Sequence, residues 1–160
     1  MLYGKATSNG REQWISRVKP PSLPGPRAAS AAPPGRVEAG GARATVHRLD
    51  LSDIAATEAW FAAHGDVDIL HNNAGVVSGL PQFPDVDAAR IRWIIDVNVT
   101  SLIAATQIAV QAMRRRGGGV IVNTVSTVAL GTGFYDAMYA TTKAAVMMFT
   151  RCCAPLKAEC

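Results

Sequence analysis

Cysteine is scarce in this chain and confined to one end. Only three of 160 residues are cysteine, Cys152, Cys153 and Cys160. No histidine stands near them and their spacing matches no zinc signature, so they read as reduced, incidental thiols and no metal is expected. Such usage suits a reducing compartment and points to the cytoplasm. Acidic residues are nearly missing from the first 36 positions. Lys5, Arg11, Arg17, Lys19, Arg27 and Arg36 face only Glu12, a net of +5, while residues 37–160 carry ten basic and eleven acidic groups. The basic balance therefore belongs to one segment, the rest is near neutral, and nucleic acid is not an expected partner. Long apolar runs are missing as well. No unbroken stretch reaches the ~18–20 residues of a membrane span, so no membrane partner is expected.

What is present falls into two textures. From Pro20 to Pro34 six prolines alternate with Ala, Ser and Gly in "PPSLPGPRAASAAPPG". Proline removes backbone donors and blocks helix, and no apolar period survives. Residues 1–40 are expected to be a disordered, basic leader. A transit peptide would send the chain to an organelle; a plain flexible leader is the favoured reading. Residues 41–160 are expected to form one domain.

From residue 41 the pattern is regular. "ATVHRLD" (44–50) suits a strand, Ser52 and Asp53 are N-cap candidates, and Ile54 and Phe61 share a helical face beside Trp60. "VDILH" (67–71) is a second strand, followed by the turn-rich "NNAGVVSGLPQFPD". Ile91, Ile95, Asn98, Leu102, Ala105, Ala109 and Ala112 recur at steps of four and three, one stripe of a long helix. "RRRGGG" closes it, because cations suit a helix C-terminus and glycine stops it. "GVIVNTV" (119–125) reads as a strand buried on both faces, and residues 138–154 as a last helix disturbed by Pro155. Strands alternating with helices predict an α/β fold with a parallel sheet and right-handed crossovers.

Ligands of such sheets bind beyond the carboxyl ends of the strands. Asp50, Asn72 and Asn73, and Ser126 follow the three strands in turn. Each alone would be turn chemistry; three at equivalent places point to one crevice. Asn98 interrupts an apolar stripe. A buried amide without partners costs of order 1–3 kcal/mol, so it either satisfies nearby backbone or faces the crevice. Tyr139 and Lys143 share a helix face at i and i+4. A free phenol titrates near 10, and a neighbouring ammonium favours the phenolate, which suits acid–base work at neutral pH.

Taken in order, these residues resemble the short-chain dehydrogenases/reductases over about residues 41–151. Asp50 in "RLDLSD", "NNAG" (72–75), Asn98 in "DVNVTS", Ser126, and Tyr139 with Lys143 in the YxxxK pattern all stand at spacings normal for that family. The resemblance implies a Rossmann-like doubly wound sheet and an oxidoreductase that moves hydride between NAD or NADP and an alcohol or ketone. It implies a catalytic set of Asn98, Ser126, Tyr139 and Lys143. Tyr139 would handle the proton at the substrate oxygen, Ser126 would hold that oxygen, Lys143 would bind the nicotinamide ribose, and Asn98 would anchor a relay water. Asp50, Leu51, Asn72, Ala74 and Gly75 would join Tyr139 and Lys143 in holding the cofactor. Leu130, Phe134, Tyr135 and Met138 would line the substrate side. The helices at 87–116 and 137–154 would form a homo- or heterodimer interface.

The family's opening element is a strand and a TGxxxGxG turn whose glycines let the backbone approach pyrophosphate. Residues 1–45 hold no such spacing. The first βαβ unit and the strands that would follow Arg151 are therefore expected to be missing, leaving an open sheet edge. A catalytically silent chain that acts through helix pairing is the competing expectation.

Overall fold

The computed structural model describes residues 2–8, 11–17, 36–39, 42–64, 66–131 and 136–158, with side chains from Thr45 onward. Strands β1 (Leu2–Ser8), β2 (Arg11–Arg17), β3 (Arg36–Ala39) and β4 (Ala42–Arg48) precede helix α1 (Ile54–His64) and strand β5 (Ile69–Asn72). Helix α2 (Ala88–Ile95) runs through a π-helical turn (Asp96–Thr100) into α3 (Ser101–Arg116). Strand β6 (Val120–Asn123), a 3-10 turn (Thr127–Ala129) and helix α4 (Ala137–Cys152) follow.

The strands form one sheet in the order β3-β4-β1-β2-β5-β6. Pairing is antiparallel for β3 with β4, β4 with β1 and β1 with β2, and parallel for β2 with β5 and β5 with β6. It follows that β4, β2, β5 and β6 all point the same way, so the carboxyl ends of β4, β5 and β6 open on one edge. The fold is a partial, Rossmann-like doubly wound α/β sheet. Among the described residues it lacks a glycine-turn βαβ unit ahead of β4 and any strand beyond β6. In the doubly wound order 3-2-1-4-5-6, two strands separate the third from the fourth. Here the hairpin β1–β2 occupies that interval, with β2 in the direction the order requires and β1 reversed.

The expected disorder over residues 1–40 therefore differs from the structure at β1, β2 and β3. The register pairs Ser8 with Arg11, which leaves Asn9-Gly10 between the strands. That dipeptide is the strongest short-range hairpin signal, and it outweighs the basic composition around it. The proline-rich residues 18–35 lie outside the described residues. The central gap that would leave a second open edge is filled by the same hairpin.

Local chemistry explains the helices. Asp53 caps α1 by accepting from the Ala56 N–H at 2.9 Å, and Asp87 caps α2 through the Arg90 N–H at 2.7 Å. Gly117 ends α3 in the left-handed region at φ 84°, with the Gly118 N–H on the Met113 carbonyl at 2.9 Å. Arg116 in that last turn pairs with Asp66 at 2.8 Å and with Asp68. Leu49, Leu51, Phe61, Val67, Leu70, Val97, Ala105, Ala109 and Met113 make the core between the sheet and α1 and α3.

Two expectations about packing are corrected. The stripe of the long helix is continuous from Leu102 to Ala112, but ahead of the π-helical turn Ile94 is buried and Ile95 exposed. A π turn adds a residue to the ladder, so the buried face before it shifts by one position. Strand β6 is covered on one face only: Val120 and Val122 are 53% and 45% exposed, because helices lie against the sheet on the other side. The helical stretch Ala88–Arg116 is also long and apolar enough to cross a membrane by length and composition, unlike any unbroken apolar run in it. Its contacts with α1, α4 and β5 are those of a core helix.

Candidate active site

The π-helical turn sets the geometry of the site. It carries Asn98, which is 1% exposed, toward the segment that follows "NNAG". Asn98 Oδ1 accepts from the Val76 N–H at 2.8 Å, and its Nδ2 donates to the Val76 carbonyl at 2.8 Å. The same Nδ2 donates to Thr142 Oγ1 on α4 at 2.9 Å. Both Nδ2 hydrogens and one lone pair of Oδ1 are thus used in tying the chain after β5 to α4, so the buried amide is satisfied by local partners.

Lys143 lies on the next turn of α4, 3% exposed. Its Nζ donates to the Thr124 carbonyl just beyond β6 at 2.9 Å and stands 5.8 Å from the centre of the Tyr139 ring. Burial pushes the Lys143 ammonium below its ordinary value of 10.5. Gly75 explains why so much fits here. A Cβ at that position would meet Lys143 Nζ at 3.3 Å and Asn98 Oδ1 at 3.7 Å. The missing side chain leaves Lys143 its approach to an exposed stretch of main chain. Tyr139 is half-buried in the first turn of α4, its N–H held by Asp136 Oδ1 at 2.9 Å.

Other expected residues fall as follows. Ser126 caps the 3-10 turn, which packs against α4, and its Oγ accepts from the Val128 N–H at 3.4 Å. Asn72 is spent internally: Nδ2 donates to Thr106 Oγ1 at 3.0 Å and Asn123 Oδ1 at 2.9 Å, locking β5 to α3 and β6. Asn73 Oδ1 accepts from Thr124 Oγ1 at 2.8 Å, and His71 Nε2 bonds the same hydroxyl at 3.0 Å. Ala74 packs on the core. Leu51 is a core residue, so its side chain is not on the edge that would meet a ligand. Asp50 lies on the shared edge, but its Oδ1 accepts from the Ser52 N–H at 3.0 Å and Ser52 Oγ at 2.8 Å, the turn chemistry expected of an isolated Asp. Three strand spacings, about 14 Å, separate its strand from β5. Leu130 is exposed and Met138 half-buried near α4, while Phe134 and Tyr135 lie outside the described residues. A cavity of about 450 Å³ opens elsewhere, between α3, β6 and the end of α4, and includes none of the catalytic candidates.

Sequence reasoning passed over Asp136, Ser78, Thr124 and Thr142. Asp136 alone carried a signal, an Asp directly before a helical run. The other three are recognisable only from the fold.

A nicotinamide dinucleotide is tested against these residues by halves. The exposed Gly75 backbone beside a buried ammonium and a phenol fits a ribose with an adjoining carbonyl substrate. The pyrophosphate half has no such cradle among the described residues: positive-φ glycines occur only at Gly79, alone in the long β5–α2 loop eight residues before the Asp87 cap, and at Gly117 and Gly118, between helix and strand.

The profile of the family described as short chain dehydrogenase matches residues 27–159. A D-xylose 1-dehydrogenase of Caulobacter vibrioides is 36% identical over 105 residues, 65% of this chain and 42% of that enzyme. A solved short chain dehydrogenase/reductase family protein superposes with a TM-score of 0.65 at 32% identity, over 71% of this chain and 48% of the other. A 7α-hydroxysteroid dehydrogenase solved with NADH and 7-oxo glycochenodeoxycholic acid gives 0.62 at 30% identity, over 71% and 46%. The chain thus spans less than half the length of each of these relatives.

Proposed function

The chain belongs to the short chain dehydrogenase family, and from that premise we propose that it is an NAD(P)-dependent oxidoreductase of alcohols or ketones with Tyr139 as its acid–base group. The observation that carries the reading is the buried Lys143 ammonium, fixed on the Thr124 carbonyl and facing the Tyr139 ring beside the bare Gly75. That cation stands one helical turn from the phenol, on the same face of α4. Tyr139 then takes the hydroxyl proton of an alcohol, or returns one to a ketone oxygen in reverse. Ser126, on the turn packed against α4, holds that oxygen by hydrogen bond. Lys143 and the Gly75 backbone hold the nicotinamide ribose, and Asn98 keeps Val76 and α4 in register so that these groups meet. The nicotinamide supplies or accepts the hydride; the protein orients the substrate carbon and manages the proton. Leu130 and Met138 favour an apolar substrate, a reading supported by the steroid ligand of the solved relative.

The test is hydride transfer followed at 340 nm with NAD and NADP against hydroxysteroids and small secondary alcohols. Tyr139→Phe is expected to lower kcat by ~10²–10⁴, the usual worth of a positioned acid–base group. Turnover retained within a few-fold would remove Tyr139 from this role.

A second reading has support of its own. The exposed Ile95 and Met148 lie on α2 and α4, and the described residues hold no pyrophosphate cradle. On this reading the chain is catalytically silent and pairs through helices 87–116 and 137–154 with a copy of itself or a longer relative. Light scattering with Met148→Glu distinguishes it: a dimer that dissociates in the variant supports pairing, and a monomer at all concentrations removes the homodimer.

A further inference from the structure

Asp136 is a carboxylate buried to 3% exposure, one residue ahead of α4. Buried carboxylates are rare unless their oxygens are satisfied. Here Oδ1 accepts from the Tyr139 N–H at 2.9 Å and from Ser78 Oγ at 2.7 Å, while Oδ2 accepts from the Ser78 N–H at 2.7 Å. One side chain thus serves two elements, the first turn of α4 and the segment after "NNAG". An N-cap needs only the first of these bonds. The two bonds to Ser78, itself buried, are beyond what capping requires. Two residues earlier the same segment is gripped by Asn98 at Val76, and one residue before that Gly75 lies against Lys143. Val76 and Ser78 are therefore held by separate polar anchors, and one of those anchors also fixes the peptide N–H of Tyr139.

We propose that Asp136 is a positioning residue, whose bridge between Ser78 and Tyr139 sets the distance of the Tyr139 phenol from the Gly75–Lys143 face. Its catalytic consequence rests on Tyr139 being the acid–base group; the bridge itself does not. Asp136→Ser separates the two duties. A serine still caps the Tyr139 N–H but is too short to span to Ser78 as well. The α4 helix is retained while the segment 76–78 is released on one side.

The experiment uses the full chain as wild type, Asp136→Ser and Ser78→Ala. Three readouts are taken: amide hydrogen exchange at Ser78, far-UV circular dichroism, and kcat separately from KM. Asp136→Ser is expected to keep its helical signal and to lose at least tenfold of the protection at the Ser78 amide. Its kcat is expected to fall on the order of 10²-fold, the effect of roughly 1 Å of misplacement. Its KM for the alcohol should stay within a few-fold while kcat falls; partial unfolding would lower the helical signal together with the activity. Ser78→Ala removes only the hydroxyl bond and should shift each readout in the same direction by less, and it decides the matter if Asp136→Ser does not fold. Wild-type protection at Ser78 in Asp136→Ser, or an unchanged kcat, overturns the proposal. If the wild type turns over no substrate, the function proposed above fails, and exchange at Ser78 still decides whether the bridge exists.

Discussion

Replacing Asn98 by alanine should cost about 3 kcal/mol of stability. The side chain is 1% exposed and makes three hydrogen bonds of 2.8, 2.8 and 2.9 Å to the Val76 N–H, the Val76 carbonyl and Thr142 Oγ1. Thr142 keeps a partner in the variant, because its hydroxyl also donates to the Tyr139 carbonyl at 2.8 Å. Val76 loses both backbone partners. Each bond contributes ~1 kcal/mol net, and a buried backbone group left unpaired costs ~1–3 kcal/mol. Val76 is half-buried, so water reaches part of it and the lower half of that range applies, which gives the figure above for the pair. In a chain of this size each kcal/mol moves Tm by ~2–4 °C, so the midpoint should fall by roughly 6–12 °C. Thermal and urea melts of wild type, Asn98→Ala, Thr142→Val and the double variant measure it, and the double-mutant cycle should return a coupling of about 1 kcal/mol. A loss under ~1 kcal/mol for Asn98→Ala would refute the view that this amide holds the segment after "NNAG" to α4.

Two further substitutions follow from the packing. At Gly119 an added Cβ would lie 2.4 Å from both Cγ and Sδ of the buried Met113, so Gly119→Ala must displace a core side chain and should cost ~1–3 kcal/mol in a urea melt. Lys143 should leave a mark on the pH dependence of stability. Its ammonium is pushed below 10.5 by burial, so between that lowered value and 10.5 the unfolded chain binds more protons than the folded one. Stability from this group therefore rises with pH through that window, and below it the cost of the buried cation is fully present. The rise should vanish in Lys143→Met; an identical slope in both proteins would mean that Lys143 is not desolvated.

Most of the domain after residue 41 was legible because its signals are local. Apolar period, Asp caps and the RRRGGG stop each act within one turn of helix, and α1, α3 and α4 appear where those signals stand. The β1–β2 hairpin departs from the disorder expected of residues 1–40, because the local Asn9-Gly10 signal outweighs the basic composition and the prolines downstream. Ile95 was misplaced because a π turn is a backbone event with no residue signature. Val120 and Val122 were expected to be buried because a β-branched run tells how a strand would pack, not whether anything covers it. At the site, the sequence singles out Asn98, Ser126, Tyr139 and Lys143 but cannot choose between structural and ligand-facing uses of the amides. The fold assigns Asn98 and Asn72 side chains to holding elements together, and it brings in Asp136, Thr124 and Thr142 through contacts of long sequence separation.

A fluorescence titration of this chain with NADH and NADPH, carried to millimolar concentration, bears most directly on whether Gly75, Tyr139 and Lys143 form a nicotinamide site. Saturable binding is expected, weakened at least tenfold in Lys143→Met. No binding at millimolar cofactor, or equal binding by the variant, would show that Tyr139 and Lys143 stand in this chain without a cofactor to serve.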